Sequence, residues 1–410
     1  MLNRYITSQI EKYLDASKSI LLLGPRQVGK STLIENYLQS CKKNKTLIYR
    51  LQDIPTFQEL ILHPEMISSK AEKILESESL ILYIDEVQKI PQLLDGCQYL
   101  IDKYKNKISV ILTGSSARKL RAKDVNLLPG RVFVEYMHPL IIPEIFNTEN
   151  QQILPIKVKG GNKLKISLEE LLIHGSLPGV VTEQQEFKSK LLKSYVLNYL
   201  EEEIRIEALA RNLGAFSKFL ELSAHESGSA PNLSRLSQET GISVSTVQNY
   251  FQLLEDTLIT FSIPPFQKKS RKQILSTPRY IFFDVGIRNE ASRTHINEAV
   301  LKTETGGKLF EQFIILELIK RIKYAYPYYK YYFWRTKTGL EVDFIIQTED
   351  ELIPIEIKYT NTPRKEHIKH LKIFMEEYKK YGIKKGFLIG KFSGAMKLED
   401  NIYAIPWNEL

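Results

Sequence analysis

The stretch Gly24-Pro25-Arg26-Gln27-Val28-Gly29-Lys30-Ser31-Thr32 decides the fold of the first part of this chain. It matches the pattern G-x-x-x-x-G-K-[ST], in which the glycines let consecutive backbone N–H groups face phosphate oxygens. The apolar run Ser19–Leu23 precedes it, and a helical pattern from Thr32 to Leu38 follows it. The sequence therefore predicts a strand, a phosphate-binding loop over residues 24–32 and a helix, with the phosphate groups of a nucleotide as the ligand.

Two further features of this region predict catalytic and metal-binding residues. Lys30 is expected to reach the β- and γ-phosphates, and Ser31 to offer its hydroxyl to Mg²⁺. A second apolar run, Leu80–Ile84, ends in Asp85 and Glu86. An acid at the end of such a strand holds Mg²⁺ through water, and a second acid can polarise the attacking water. Asp85 is therefore the predicted magnesium ligand and Glu86 the predicted general base.

A third apolar run, Ile108–Leu112, is followed by polar residues. A polar side chain here would lie beside the γ-phosphate if this strand sits between the strands of the loop and of the acidic pair. Thr113 is the favoured residue and Ser115 the alternative, although a plain turn also fits. Arg131 opens a later strand, where it would contact a nucleotide in its own subunit or in a neighbouring one, or simply face solvent.

Length and composition exclude several classes of protein. The 410 residues are 43% hydrophobic and 26% charged, an ordinary globular composition with room for two or three domains. Two cysteines are too few for a disulfide framework or a cysteine-based zinc site. No apolar run approaches the roughly 20 residues that cross a bilayer, and the first residues lack a secretory pattern. A cytoplasmic protein without membrane association is expected.

The positive charge is concentrated in the last third of the chain. The net charge is +9, and residues 268–410 contain 26 Lys/Arg against 18 Asp/Glu. The cluster Lys268-Lys269-Ser270-Arg271-Lys272 opens this segment. Such a balance predicts a polyanionic partner, of which DNA is the expected one, while a solvated lysine-rich surface is the simpler alternative.

The middle of the chain is predicted to be helical. Residues 147–166 are rich in turn-forming residues and predict a loop, and residues 168–174 and 187–210 show helical periodicity. Three further helices are predicted over residues 216–224, 233–239 and 244–256.

The glycine turn at Thr240–Ser243 and the strand-like run Leu258–Ile263 complete the pattern of a winged helix-turn-helix. The start of its third helix offers polar but no basic side chains. DNA reading by this helix and a role in packing or protein contact are therefore both open.

Four residues near the C-terminus suggest a metal-dependent site. Asp343 lies in one predicted strand, and Glu356 and Lys358 lie in the next, where alternation directs both to the same face. Hairpin pairing would place Asp343 beside them. Asp343 and Glu356 would hold a second Mg²⁺ or Mn²⁺, Lys358 would stabilise developing charge, and Glu311 from a preceding helix would add a ligand.

The ordered motifs resemble those of one group of proteins. The resemblance is carried by these segments: Gly24–Ser31, Ile84–Gln88, Leu112–Ser116, Gly130–Arg131, Pro139–Leu140 and Glu144. They are similar to bacterial and archaeal AAA-type ATPases, related to the STAND class, that carry a C-terminal domain of unknown function. The resemblance implies a five-stranded parallel ATPase sheet and ATP rather than GTP. It also implies an arginine acting across the interface of a homo-oligomer, for which Arg131 is the matching position.

The C-terminal pattern E…D…(x12)…E-x-K resembles the PD-(D/E)xK restriction-endonuclease-like superfamily, with Val342 in place of the proline before Asp343. The expected fold class is therefore α/β. Its predicted domains are an ATPase core at residues 1–146, a loop and helical region at 147–212, a winged helix-turn-helix at 213–267 and a nuclease-like domain at 268–410.

Two functional hypotheses follow from these patterns. The first is an ATPase coupled to a metal-dependent nuclease or nucleic-acid-binding domain, which the three residues Asp343, Glu356 and Lys358 favour. The second is a STAND-like switch in which nucleotide controls partner contact and the C-terminal fold is a non-catalytic platform. The non-basic third helix of the helix-turn-helix favours this alternative.

Overall fold

The structure of the chain is a computed structural model. It describes residues 2–41, 44–115, 128–148, 151–160, 163–200, 213–267 and 277–410. These residues form two compact units. The first contains residues 3–138 and the short segment 256–259, and the second contains residues 139–255 and 260–410 together with Leu2. The domain boundaries inferred from the sequence stay predictions.

The first unit is built on a parallel five-stranded sheet. Its strands are β1 (Ser19–Leu23), β2 (Lys45–Arg50), β3 (Leu80–Asp85), β4 (Ile108–Gly114) and β5 (Val132–Tyr136). Their order across the sheet is β2-β3-β4-β1-β5, and all neighbours pair in parallel. Strand β4 therefore lies between the loop strand β1 and the acidic strand β3, which is the condition for a polar residue after it to lie beside the γ-phosphate.

Helices cover this sheet. They are α1 (Thr7–Asp15), α2 (Lys30–Ser40), α3 (Ile54–Leu62), α4 (Met66–Leu75) and α5 (Leu93–Tyr104). Strands β1, β3 and β4 are buried along their whole length, as expected for central strands of a parallel sheet with both faces covered. The rigid core therefore fixes the carboxyl ends of these three strands, where the predicted site residues lie.

The second unit begins with short helices. They are α6 (Ile142–Phe146), α7 (Leu168–His174), α8 (Pro178–Val181) and α9 (Gln185–Ser194), the last continued by a π-helical segment at Tyr195–Leu200. The long helix predicted over residues 187–210 thus begins two residues earlier and changes to π-helical geometry after Ser194. Residues 201–210 of that prediction lie outside the described residues.

Three helices and a two-stranded antiparallel sheet follow. The helices are α10 (Leu213–His225), α11 (Leu233–Thr240) and α12 (Val244–Asp256), and the strands are β6 (Thr260–Ile263) and β7 (Arg279–Phe282). The three predicted helices are confirmed. Gly241 takes a left-handed conformation with φ of 70°, which explains the glycine at this turn. Beyond β6, Phe266 N donates to Phe333 O at 2.7 Å, so the chain also joins the edge of the next sheet.

The C-terminal part is a mixed six-stranded sheet. Its strands are β8 (Lys330–Arg335), β9 (Glu341–Gln347), β10 (Leu352–Ile357), β11 (Gly386–Gly390), β12 (Met396–Glu399) and β13 (Ile402–Pro406), in the order β12-β13-β11-β10-β9-β8. Strands β10, β11 and β13 are parallel, and the other pairings are antiparallel. The helices of this part are α13 (Val285–Ala291), α14 (Glu298–Leu301), α15 (Glu304–Ala325) and α16 (Lys369–Glu377). A separate α/β domain after the ATPase sheet, as expected from the sequence, is present.

Helix α15 contains 22 residues and is buried along most of its length. It buries Glu317, Lys320 and Arg321 at 2% exposure or less. Glu317 accepts from Arg321 Nε at 2.7 Å and from the backbone N–H of Ile142 at 3.0 Å. These charges are tolerated in the core because they are paired and hydrogen-bonded to one another.

No helix among the described residues is both long and apolar enough to cross a membrane.

Candidate functional site

The backbone of the loop between β1 and α2 has the conformation that its glycines require. Gly29 has φ of 95°, a left-handed conformation that other residues rarely adopt. A Cβ atom on Gly24 would collide with the carbonyl group of Met137, which follows β5. Gly24 is therefore needed for the loop to pack against the chain after β5, and Gly29 for the left-handed backbone before α2.

The lysine of the loop lies across it. Lys30 Nζ donates to the carbonyl oxygens of Gly24 at 2.7 Å and Pro25 at 2.9 Å. Its side chain is buried at 5% exposure. The ammonium group is thus held directly over the loop, where a phosphate group of a nucleotide would offer charged acceptors instead of carbonyls.

The remaining predicted loop residues divide between surface and core. Gln27 and Thr32 are exposed, Arg26 is half-buried, and Val28 is buried in the core. The carbonyl of Val28 accepts from Arg4 Nη1 at 2.6 Å, while Arg4 Nη2 donates to the carbonyl of His138. Arg4 therefore ties the loop to the chain after β5.

Asp85 is at the centre of a hydrogen-bonded group of side chains. The hydroxyl of Ser31 donates to both of its carboxylate oxygens, at 3.0 and 3.1 Å, and the hydroxyl of Tyr83 donates at 3.0 Å. Thr113 Oγ1 donates to the same carboxylate. Burial and the adjacent Asp85 carboxylate raise the pKa of Tyr83, which keeps this donor protonated. Ser31 and Asp85 are oxygen donors of the kind that Mg²⁺ takes, so they fit the predicted metal.

Glu86 is held by two different parts of the site. Its backbone has φ of 61°, and its N–H donates to Thr113 Oγ1 at 3.1 Å. Its side chain accepts from Gln88 Nε2 at 2.5 Å, and Gln88 Nε2 also donates to Ser115 Oγ at 2.9 Å. Thr113 and Ser115, between which the sequence left a choice, therefore both contribute: Thr113 contacts the predicted metal ligand, and Ser115 connects to the predicted base.

Arg131 does not join this group. It precedes β5 and pairs with Asp102, with Nε to Oδ1 at 2.7 Å and Nη2 to Oδ2 at 2.9 Å. Since Val132 is level with Ser19 and Tyr136 with Leu23, Arg131 lies at the opposite end of the sheet from the loop, about 13 Å or more away. An interaction with a nucleotide in its own subunit does not fit this position, while a role across a subunit interface stays a prediction.

The second unit brings together three of its four predicted site residues. Asp343 on β9 and Glu356 on β10 lie on adjacent antiparallel strands, next to the pair Phe344 and Ile355. Lys358 Nζ donates to Glu356 Oε1 at 2.6 Å and lies 3.7 Å from Asp343 Oδ2. Both carboxylates are at most 5% exposed. Asp343 Oδ2 also accepts from the backbone N–H of Ile357 at 2.8 Å, so its orientation is fixed.

The carboxylates of this site influence each other's protonation. Burial, and secondarily the Asp343 carboxylate, raise the pKa of Glu356 well above its usual range and raise that of Glu311 to about 7. Burial alone would lower the pKa of Lys358, but the carboxylates of Asp343 and Glu356 have the larger combined effect and raise this pKa. Glu356 Oε2 is buried and has no hydrogen-bond partner among the described residues. An unpaired carboxylate oxygen at this depth is expected to have a ligand that the protein itself does not supply.

Glu311 is held by another cation. Its Oε1 accepts from Arg279 Nη1 at 3.3 Å, and Arg279 also pairs with Glu341 and lies over the ring of Phe333, 4.4 Å from its centroid. Within the described ranges, no group of three or more His, Cys, Asp or Glu side chains is arranged to hold a metal ion. The geometry therefore supports Asp343 and Glu356 as a carboxylate pair, with Glu311 beside them in an ion pair.

The candidate recognition helix presents polar side chains, as expected. Ser243 caps α12 by accepting from the N–H of Thr246 at 3.2 Å. Ser245, Gln248 and Asn249 are exposed on its first turns. The basic cluster Lys268–Lys272 lies outside the described residues, so DNA binding through this part stays a prediction.

Comparison with known families assigns the first region. Residues 16–146 match the family model described as an AAA domain. This range contains the whole parallel sheet, which has a P-loop NTPase fold, and it is called the AAA domain below. Residues 165–298 and 306–410 match two further families, each described as a domain of unknown function, DUF8612 and DUF4143.

Related proteins align with this chain over most of their length. An uncharacterized protein of Mycobacterium tuberculosis is 22% identical, with 88% of this chain and 74% of that protein covered. An uncharacterized protein of Methanocaldococcus jannaschii is 24% identical, with 98% and 86% covered.

Two solved structures are also similar. The Walker-type ATPase of Pyrococcus abyssi matches with a TM-score of 0.47 at 15% identity, covering 71% of this chain and 96% of that one. AMPPCP-bound DnaA of Aquifex aeolicus matches with a TM-score of 0.31 at 14% identity, covering 62% and 89%.

Three residues of the first unit were not identified as site residues from the sequence. Tyr83 precedes Asp85 by two positions, so strand alternation alone predicts that both face the same side. Gln88 follows Glu86 at the same interval, but there the chain has left the strand. Arg4 is remote in sequence from the loop that it supports, and no local pattern identifies it.

Proposed function

We propose that the AAA domain binds and hydrolyses ATP. The observation that supports this most strongly is the convergence of Lys30, Ser31, Asp85 and Glu86 at the carboxyl edge of three adjacent, fully buried strands. Ligands of parallel α/β sheets bind outside this edge. The backbone N–H groups of residues 24–32 would hold the phosphates at the N-terminus of α2.

The residues have distinct roles in the proposed reaction. Lys30 exchanges its two carbonyl acceptors for oxygens of the β- and γ-phosphates. Glu86 accepts a proton from water as the water oxygen bonds to the γ-phosphorus and the bond to the bridging oxygen breaks, so that ADP and phosphate leave. Ser31 and Asp85 would hold Mg²⁺, which neutralises charge on the phosphate oxygens when it is bound.

Turnover measurements test this proposal. The purified chain is expected to release phosphate from ATP in the presence of Mg²⁺, and Lys30→Ala to abolish release. Lys12→Ala, which removes an exposed lysine of α1, is the matched control and should retain full activity. Glu86→Gln should bind ATP and hydrolyse it poorly. Phosphate release by Lys30→Ala at the rate of the unmodified chain would contradict the assignment.

We further propose a metal-dependent site for nucleic acid in the second unit. Asp343 and Glu356 form a buried pair on adjacent strands, Lys358 is 39% exposed beside them, and one oxygen of Glu356 lacks a partner among the described residues. The residues fit a single Mg²⁺ or Mn²⁺ held by two carboxylates, with Lys358 available to a phosphate oxygen.

Cleavage and binding assays separate this proposal from a non-catalytic platform. Single-stranded, duplex and branched DNA are incubated with Mg²⁺ or Mn²⁺ and the unmodified chain, Asp343→Asn or Glu356→Gln. Cleavage that both substitutions remove supports catalysis. Salt-sensitive binding without cleavage supports the platform, and the absence of both would refute a nucleic-acid role for this site.

A further inference from the structure

We propose that Gln88 is a positioning residue for ATP hydrolysis, which holds the Glu86 carboxylate through a hydrogen-bonded connection to Ser115. This inference rests on the proposed ATPase function and adds a residue that the P-loop motifs do not contain. It predicts that Gln88 sets the rate of hydrolysis and has little influence on the affinity for ATP.

The first argument is the geometry of the amide group. Gln88 lies in the short 3₁₀ turn Val87–Lys89 directly after Glu86. Its amide nitrogen donates to Glu86 Oε2 at 2.5 Å and to Ser115 Oγ at 2.9 Å. An amide NH₂ group has two hydrogens, so both bonds can form together. The opposite orientation of the amide would place its oxygen against a carboxylate, which fixes the assignment.

The second argument is the space reserved for this side chain. Gln88 is 7% exposed. A Cβ atom on Gly114 would lie 2.9 Å from Gln88 Oε1, so even an alanine at the end of β4 would press on the amide. Gln88 Oε1 itself has no hydrogen-bond partner among the described residues. A buried polar oxygen without a partner is costly, and a side chain that only filled the core would be apolar.

The third argument is how β4 serves the two acids. Thr113 and Ser115 are two positions apart at the end of this strand. Thr113 donates to Asp85, the predicted metal ligand, whereas Ser115 accepts from the same Gln88 nitrogen that donates to Glu86. Because β4 lies next to β1, with Gly114 level with Leu23, Ser115 follows at the edge where the phosphate loop begins. Gln88 therefore connects the base to the strand beside the phosphates.

Four variants test the role: Gln88→Ala, Gln88→Glu, Ser115→Ala and the double variant with alanine at both positions. Gln92→Ala, an exposed glutamine in the same segment, is the matched control. For each, kcat is measured from phosphate release, and Kd for a non-hydrolysable ATP analogue by titration. General-base catalysis contributes roughly 10²- to 10⁴-fold, so a displaced base is expected to lower kcat by about 10- to 100-fold.

The expected result is a loss in kcat with Kd changed less than about threefold. Ser115→Ala should lower kcat in the same direction, and the double variant should be little worse than Gln88→Ala, because both substitutions break one connection. Gln88→Glu keeps the volume but replaces the donor by a carboxylate. It should lower kcat at least as strongly, and it provides the test if Gln88→Ala does not fold.

Two outcomes would overturn the inference. One is that Gln88→Ala or Gln88→Glu has the same kcat as the control variant Gln92→Ala. The other is full additivity of the losses in the double variant. Failure of the ATPase proposal itself looks different, because the unmodified chain would then release no more phosphate than Lys30→Ala.

Discussion

Thr113 is expected to be the most sensitive small side chain of the AAA domain. It is fully buried, donates to the Asp85 carboxylate and accepts from the Glu86 N–H at 3.1 Å. Thr113→Val preserves the shape and removes only the hydroxyl. A hydrogen bond to a charged group contributes about 1.5–3 kcal/mol, and an unsatisfied buried N–H costs about 1–3 kcal/mol. The substitution should therefore destabilise this region by about 3 kcal/mol or more.

Hydrogen exchange of peptides covering β3 and β4 measures this effect in the intact chain. A loss of about 3 kcal/mol corresponds to roughly hundredfold faster exchange where opening is local. Thr113→Ser keeps the hydroxyl and should exchange much more slowly than Thr113→Val. A hydrogen-exchange rate for Thr113→Val within threefold of that of the unmodified chain would refute the reasoning. The two hydrogen bonds of the Thr113 hydroxyl would then make no measurable contribution to the free energy of unfolding.

Three further predictions concern single contacts. Tyr83→Phe removes one hydrogen-bond donor to Asp85 and should weaken Mg²⁺ binding by about tenfold. The effect is measured by titrating ATP turnover with Mg²⁺, and an unchanged Mg²⁺ requirement would contradict it. Arg131→Ala should leave ATP binding to a single subunit unchanged. If Arg131 acts on a nucleotide in a neighbouring subunit, mixing this variant with Lys30→Ala should restore ATP turnover. No recovery of turnover in the mixture would count against that role. Burial and the Asp343 carboxylate raise the pKa of Glu311 to about 7 in the folded chain. The contribution of Glu311 to the free energy of unfolding is therefore present below its unfolded-state pKa and is lost as the pH rises to about 7. Glu311→Gln should reduce the change in the free energy of unfolding between pH 4.5 and 8, measured by urea unfolding. An unaltered pH dependence would exclude Glu311 as the source of that change.

The sequence predicted the features that depend on local patterns and on strand alternation. The loop glycines and Lys30 belong to one short-range motif, Asp85 and Glu86 at the end of β3 belong to another, and the parallel sheet places the two motifs together. In the second unit, the spacing from Asp343 to Glu356 and Lys358 is enough to predict that these residues lie side by side. The reason is that an antiparallel hairpin has only a few registers that bury both apolar faces.

Long-range contacts could not be predicted in this way. Gln88 reaches Ser115 and Arg4 reaches Val28 only once the sheet is assembled. Glu317 and Arg321 are both buried because they form an ion pair with each other, and no local pattern predicts that two charged side chains enter the core. Arg131 is different, since its place at the start of a parallel strand already puts it at the edge away from the loop.

The strand pair β6–β7 has a consequence for how this chain can be divided. Phe266, just after β6, packs in the core of the C-terminal sheet with Trp334, Phe374 and Tyr378. Arg279, at the start of β7, pairs with Glu311 beside the carboxylate pair. A fragment beginning at residue 268 would leave β7 without its partner strand and open a hole where Phe266 was. The three-helix segment and the C-terminal sheet are therefore expected to unfold together, as one cooperative unit.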